Sequence, residues 1–446
     1  MEYVDVLQNV TVLGAGGKIG SGILLLTAME MADLSLKPEN KDRLFILNAV
    51  DVSNQALSDL MDFLRVHVQK AAEKKTVQLR EVYRDREDLI ENFDIINQYI
   101  FDVLKLVRCS TRLEQSYDST LIFEAIIENP DVKVKILSQI DQNNKNQPWF
   151  FTNTSSIPIH ELDEKANLGG RIIGFHFYNP PAVQKLVELI PAKTTKQELV
   201  DFAVQYAKNL RKTIVPSNDV AGFIGNGHFM RDALFAFSEV ERLSKEMDFV
   251  EAVYMINKVS QEYLIRPMGI FQLLDYVGLD VCQYIMSVMN SRLSGENLHS
   301  ELLDKIVAKG VKGGQYGDGS QKDGLLKYEK GRPVAVFDPE KGEYVPFSDF
   351  QAKCDEKLGA LPDTAQPWKA LIRNPNKQAV LDQYFKQLNS MNTLGATLAR
   401  QYGSKSKEIA LKLVEDNVAQ KGQDVNTVLL TGFYHAYGPI NEYFKS

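Results

Sequence analysis

The stretch that most narrows the fold lies near the N-terminus. Asn9-Val10-Thr11-Val12-Leu13 reads as a short buried strand that runs into Gly14-Ala15-Gly16-Gly17-Lys18-Ile19-Gly20-Ser21-Gly22, then into an apolar, helix-like run from Ile23 to Met29. Strand, glycine turn and helix in that order aim backbone N–H groups and a helix N-terminus at an anion such as a pyrophosphate. The spacing is G-x-G-x-x-x-G read from Gly14, or G-x-x-G-x-x-G through Gly17 and Gly20; neither is G-x-G-x-x-G. Glycine-rich turns without a ligand are common, so the loop alone leaves binding open.

A second apolar strand, residues 44–50, ends in Asp51. In a Rossmann unit such an acid takes the ribose 2′-hydroxyl and its charge disfavours a 2′-phosphate, which points to NAD over NADP. A plain strand-end turn residue is the alternative. From Gly20 to Asp51 is 31 residues, against about 20 in the usual unit; the polar insertion at residues 35–43 accounts for the excess. Candidate cofactor-binding residues here are Gly14, Gly16, Gly17, Lys18, Ile19, Gly20 and Asp51. Residues 76–79, 120–125 and 149–152 read as further strands, with a charged, helix-rich segment at 85–105 and a helix carrying Lys133 and Lys135. The last of these strands ends in Asn153-Thr154-Ser155-Ser156, at the edge where open α/β sheets place ligands, although the same residues serve equally as helix caps. The expected fold class is α/β, a Rossmann-like doubly wound sheet followed by all-α C-terminal domains.

A chain of 446 residues exceeds what one core supports, so two or three domains are expected. The formal net charge of -7 argues against nucleic acid as the main partner. No apolar run approaches the ~18 residues of a membrane span, and the first residues lack the basic and apolar regions of a signal peptide. Cys109, Cys282 and Cys354 are widely separated, and the six histidines show no ligand spacing. The expectation is a cytoplasmic protein with neither a disulfide framework nor a structural metal.

Residues 172–190 place His176 in one apolar, strand-like segment and Glu188 twelve residues on in another, with Pro180 and Pro181 between them. The backbone must turn there, and two strands folding back would bring Glu188 against the imidazole. A carboxylate on one ring nitrogen leaves the other to take a proton. Oxidation of an alcohol by hydride transfer releases such a proton. A histidine between phenylalanines can also be a hydrogen-bonded core residue.

Several runs taken together resemble the L-3-hydroxyacyl-CoA dehydrogenase family: Phe123-Glu124-Ala125-Ile126-Ile127-Glu128-Asn129, Thr152-Asn153-Thr154-Ser155-Ser156-Ile157-Pro158, Gly174-Phe175-His176-Phe177-Tyr178-Asn179-Pro180, Lys185-Leu186-Val187-Glu188, Ala221-Gly222-Phe223-Ile224-Gly225-Asn226 and Arg266-Pro267-Met268-Gly269. The resemblance implies NAD-dependent oxidation of an L-3-hydroxyacyl-CoA thioester to the 3-ketoacyl thioester, as in fatty-acid β-oxidation. His176 then corresponds to the general base and Glu188 to its orienting carboxylate. Ser155 and Asn226 correspond to hydrogen-bond donors to the reacting oxygen. Glu128, Lys133 and Asn153 fall near the cofactor and the CoA entrance. The glycine loop departs from the family pattern by one extra residue, with Ala15 at the first glycine's place. Two other readings share these residues: a dehydrogenase of a free small hydroxy acid, and a catalytically silent nucleotide-binding relative.

The C-terminal half reads as helical. Phe229, Ala233, Leu234, Phe237, Val240 and Leu243 recur at three- and four-residue spacing. The end of the chain resembles a second copy of the family's helical motif, running from Asp424 to Gly438 over 14 residues, where Asp248 to Gly269 takes 21. The resulting division is 1–215 for the NAD-binding domain, 216–346 for a first helical domain and 347–446 for a second, repeat-like one. A tandem copy could replace the homodimer of single-copy members by an internal pseudo-dimer through the helical domains.

Overall fold

Strands β1 (Asn9–Leu13), β2 (Ile46–Val50), β3 (Val107–Ser110), β4 (Leu121–Glu124), β5 (Trp149–Thr152) and β6 (Ile172–Phe177) pair side by side, all parallel, in the order 3-2-1-4-5-6. This is the doubly wound order expected of a Rossmann-like sheet. β7 (Leu186–Ile190) returns antiparallel to β6, and β8 (Thr213–Pro216) runs parallel to β7. The computed structural model describes residues 2–317 and 319–445. The chain divides into two units, Met1–Asp219 and Val220–Ser446.

In the first unit β4, β6 and β7 are buried at every position, as strands covered on both faces must be. One face carries an aromatic layer. Phe123, Phe151 and Phe175 pack with Phe202 and Tyr206 of the helix Gln197–Asn209, ring centroids 4.8–6.1 Å apart. Strand side chains alternate between faces, so Phe175 and Phe177 commit to this layer and His176 to the other face. The strand order reverses between β1 and β4, which opens the crevice at their C-terminal ends.

One expected strand is a helix. Thr76–Val82 is helical and follows the helix Asn54–Lys74 directly. Only Leu79 is buried, while Val77 is exposed. β-branched residues favour strands only where a sheet edge receives them, and the edge beside β2 is taken by β3. β3 itself lies just beyond the segment read as helix-rich. As an edge strand with Arg108 and Cys109 exposed, it has no apolar run to announce it.

The second unit is helical, with one three-stranded antiparallel sheet, β9 (Leu326–Glu329), β10 (Arg332–Asp338) and β11 (Glu343–Pro346). A continuous core runs through it from Ala221 to Phe444. Residues 220–346 and 347–446, read above as belonging to separate domains, therefore share one interior, and 216–219 fall with the sheet. One turn geometry occurs twice in it. Asn257 Oδ1 accepts from the Phe271 N–H at 3.1 Å, and a Cβ on Gly269 would sit 2.2 Å from that oxygen. Asn426 Oδ1 accepts from the Ile440 N–H at 2.9 Å, and a Cβ on Gly438 would sit 2.3 Å from the Asn426 side chain. Asparagine to glycine is 12 residues in both. The unequal spacings counted from Asp248 and Asp424 arise because those two acids are not equivalent.

A polar cluster lies inside this core. Arg266 Nη1 donates to Asp232 Oδ2 at 2.7 Å, Tyr402 donates to the same oxygen at 3.1 Å, and Arg266 Nη2 reaches Ser406 Oγ at 3.3 Å. His228, 1 % exposed, places Nε2 3.1 Å from Ser406 Oγ. Burial pushes the His228 imidazole down to about 4; the Asp232 charge opposes this and the Arg266 charge adds to it. The folded state thus keeps His228 neutral where the unfolded chain, titrating near 6.5, takes a proton. Its contribution to stability is complete above about pH 6.5 and is lost as pH falls toward 4. Urea unfolding followed at pH 7 and pH 5 is expected to show a loss on the order of 2 kcal/mol from this residue, and the His228→Gln variant should show a correspondingly flatter dependence.

Candidate active site

Antiparallel pairing of β6 and β7 sets His176 directly opposite Glu188, and directly opposed residues share a face. His176 Nδ1 lies 3.0 Å from Glu188 Oε2; Glu188 is fully buried and His176 is 8 % exposed. An ionised carboxylate only accepts, so Nδ1 carries the hydrogen and Nε2 carries the lone pair that can receive a proton. Tyr178 donates to the same Oε2 at 3.0 Å, with its ring 4.9 Å from the imidazole. Burial, then the Glu188 charge, raises the Tyr178 phenol well above its ordinary range, so it stays a donor. Tyr178 had no role in the sequence reading. Its position two residues on from His176, just past the end of β6, was the available signal.

Ser155 sits on the turn after β5, and Glu128 holds that turn. Glu128 Oε1 accepts from Thr154 Oγ1 at 2.6 Å, from the N–H groups of Ser155 and Ser156 at 2.9 and 3.0 Å, and from Ser156 Oγ at 2.9 Å. Glu128 Oε2 is 3.3 Å from Lys133 Nζ, which in turn lies 2.6 Å from Glu124 Oε1. Glu124 also accepts from Thr152 Oγ1 and the Ile126 N–H. Burial alone would raise the Glu128 carboxyl, but the Lys133 charge and the hydrogen bonds from Thr154, Ser155 and Ser156 bring it below its ordinary range. Burial alone would lower the Lys133 amine, but Glu124 and Glu128 raise it. Lys133, read from sequence as cofactor-binding, is 1 % exposed, and its ammonium joins two carboxylates inside the unit. Glu124, which received no role, is the other half of that pairing; an acid ending an otherwise apolar strand was its signal.

Asn153 joins the two halves of the site, since its Oδ1 accepts from the Phe177 N–H at 2.7 Å. The Ser155 turn is thereby tied to the strand that carries His176. Asn226 belongs to the second unit, at the start of the helix Gly225–Leu243.

The glycine turn lies at the C-terminal end of β1. Gly14 has φ +73, and its N–H and that of Ala15 both donate to Val50 O. Gly17 N–H donates back to Gly14 O, so the extra residue is absorbed in a tight turn. Gly17 then opens the helix Lys18–Ser35. A Cβ on Gly20 would lie 2.0 Å from Gly14 O, which lets the helix press directly on the turn. Asp51 Oδ2 accepts from the Gly16 N–H at 2.9 Å and Oδ1 from the Ser53 N–H at 3.1 Å. Two of about four acceptor positions on the carboxylate are used, which leaves capacity for ribose hydroxyls. Gly17 and Lys18 are exposed, with no Cβ on Gly17 to cover the helix N-terminus. These residues fit a dinucleotide.

A sequence model of the 3-hydroxyacyl-CoA dehydrogenase NAD-binding domain matches residues 9–220, and one of the C-terminal domain of the same enzymes matches residues 247–323. A probable 3-hydroxyacyl-CoA dehydrogenase of Caenorhabditis elegans is 30% identical over 315 residues, 70% of this chain and 95% of that protein. The mitochondrial hydroxyacyl-coenzyme A dehydrogenase of Homo sapiens is 29% identical over 320 residues, 71% of this chain and 91% of that protein. Among solved structures, the 3-hydroxybutyryl-CoA dehydrogenase of Escherichia coli superposes with TM-score 0.64 at 20% identity, covering 97% of this chain and 90% of that one; at that identity the likeness is one of fold. Lys133→Met should strand Glu124 and Glu128 without their cation. Denaturant unfolding of that variant is expected to show a loss of about 3–5 kcal/mol, and adding Glu124→Gln should return part of it.

Proposed function

The chain belongs to the 3-hydroxyacyl-CoA dehydrogenase family, and from that premise we propose that it interconverts an L-3-hydroxyacyl-CoA thioester and its 3-ketoacyl form. The observation that carries this is the buried His176–Glu188 pair. In the oxidative direction the 3-hydroxyl proton passes to His176 Nε2, and the O–H electron pair becomes the new C3=O bond. Glu188 offsets the positive charge that the ring acquires, and Tyr178 keeps the carboxylate from turning away. Positioned bases of this kind contribute about 10²–10⁴ in rate. When bound, NAD accepts the hydride that leaves C3.

The remaining roles are assigned as follows. The Ser155 hydroxyl is assigned to the reacting oxygen, and Glu128 and Lys133 keep its turn in place. Asn153 holds the Ser155 turn to β6. Gly14, Gly16, Gly17 and Gly20 shape the dinucleotide turn, and the backbone of Lys18 and Ile19 forms the helix N-terminus assigned to the pyrophosphate. Asp51 is assigned to the adenosine ribose, which favours NAD over NADP. Asn226 is assigned, with Ser155, to the reacting oxygen on the family resemblance alone.

Two further readings concern the whole molecule. The duplicated asparagine–glycine turn inside one core supports an internal pseudo-dimer of helical halves. No helix among the described residues is long and apolar enough to cross a membrane. Three free cysteines, one of them exposed, suit a reducing compartment, which we take to be the cytoplasm.

Acetoacetyl-CoA is expected to drive NADH consumption while the free acid does not; the reverse preference would move the substrate assignment to a free hydroxy acid. His176→Ala should lower kcat by about 10²–10⁴ with NADH binding, read by fluorescence quenching, unchanged; failure of the parent protein to bind NADH would leave a silent relative. Light scattering should report a monomer, and a dimer held through residues 220–346 would end the pseudo-dimer reading.

A further inference from the structure

The segment between β6 and β7 joins the strand that carries His176 to the strand that carries Glu188. Residues 178–185 contain Pro180 and Pro181, which donate nothing. Within the turn, the N–H groups of Val183 and Gln184 donate to Pro180 O at 3.0 and 2.9 Å. What grips this turn comes from elsewhere in the same unit. Lys212 Nζ donates to Pro181 O at 2.5 Å and to Gln184 O at 2.6 Å. The lysine is fixed by its own backbone: its N–H donates to Ala207 O, and the next N–H, that of Thr213, donates to Lys185 O at 2.7 Å. Its half-buried stem passes Phe177, with Nζ 5.7 Å from the ring centroid.

On the other side of the turn Pro181 lies against Gly22, where a Cβ would stand 2.7 Å from Pro181 Cδ. Gly22 belongs to Lys18–Ser35, the helix assigned above to the pyrophosphate. The turn is therefore held between the dinucleotide helix and Lys212. Among the described residues no carboxylate lies within salt-bridge distance of Lys212. Burial lowers its amine to about 8, so the cation is kept in a place that disfavours it, where it donates to two carbonyls.

We propose that Lys212 is a positioning residue of this active site: its ammonium clamps the Pro181 and Gln184 carbonyls and holds the turn between His176 and Glu188 against the dinucleotide helix. The proposal rests on reading those two residues as the reacting pair. Charge-assisted bonds to carbonyls are the strong kind, and a small displacement of a catalytic group is costly in rate.

The test uses the full-length protein with Lys212→Met. Hydrogen exchange at the Val183 and Gln184 amides should quicken about tenfold or more, with β6 and β7 unchanged. The kcat for acetoacetyl-CoA reduction should fall about tenfold or more while KM for NADH stays within about twofold. Lys212→Arg, which keeps the charge, should recover kcat to within about threefold. Unchanged exchange in 178–185, or a kcat within about twofold of the parent value, overturns the proposal. Should the methionine variant fail to fold, Lys212→Gln, which keeps part of the stem and loses the charge, carries the same two readings. An active His176→Ala would remove the reacting pair instead, and the exchange comparison would still decide whether Lys212 clamps the turn.

Discussion

The opposition of His176 and Glu188 depends on the register of one antiparallel pair. A slip of one residue between β6 and β7 would send Glu188 to the face that carries Phe175 and Phe177, and leave His176 opposite a valine or a leucine. Both faces oppose that slip. On one, Phe175, Phe177, Val187 and Leu189 belong to the aromatic-rich core. On the other, Gly174 meets Ile190 and Ile159 so closely that a Cβ there would stand 2.8 and 2.9 Å from them. The dyad is a by-product of packing on two sides, and its polar atoms need contribute little to holding the strands together.

The neighbouring Ser155 turn is held differently. A buried line of charge fixes its backbone, running from Glu124 through Lys133 to Glu128 and ending on the turn's N–H groups. Buried ion pairs of this kind add little net stability compared with apolar replacements, yet are expensive to break from one end. Their effect here is directional. Glu128 orients three consecutive hydroxyl residues, and Asn153 then transfers that order to β6.

Much of this was legible in the chain because strands β1 and β4–β7 are continuous apolar runs bounded by glycine, proline or a polar turn. His176 and Glu188 were legible as a pair because the prolines between them force a reversal. β3 was not, since an exposed edge strand with Arg108 and Cys109 has no apolar signature. Thr76-Val77-Gln78-Leu79 misled in the opposite sense: its β-branched start suggests a strand, but the place beside β2 is filled by β3. Lys133 and Lys212 were opaque for a common reason. What each ammonium does is set by acceptors that the fold brings to it, Glu124 and Glu128 in one case and two loop carbonyls in the other. The asparagine–glycine turn that occurs twice in the helical unit was not read, because the equivalence lies in the asparagine amides that fill the space above each glycine and not in Asp248 and Asp424.

The carboxylate of Asp51 has a consequence for anyone re-engineering this scaffold. With Asp51 assigned to the adenosine ribose, replacing it is the obvious route toward a phosphorylated dinucleotide, because that would remove a charge that repels the extra phosphate. In this chain the same oxygens hold the Gly16 and Ser53 N–H groups. A neutral or basic substitute would therefore relax the glycine turn and the start of the following helix together with the electrostatic filter. Under that assignment coenzyme choice and loop rigidity are coupled, and a switch of one calls for a second change that supplies those two amides with a new acceptor.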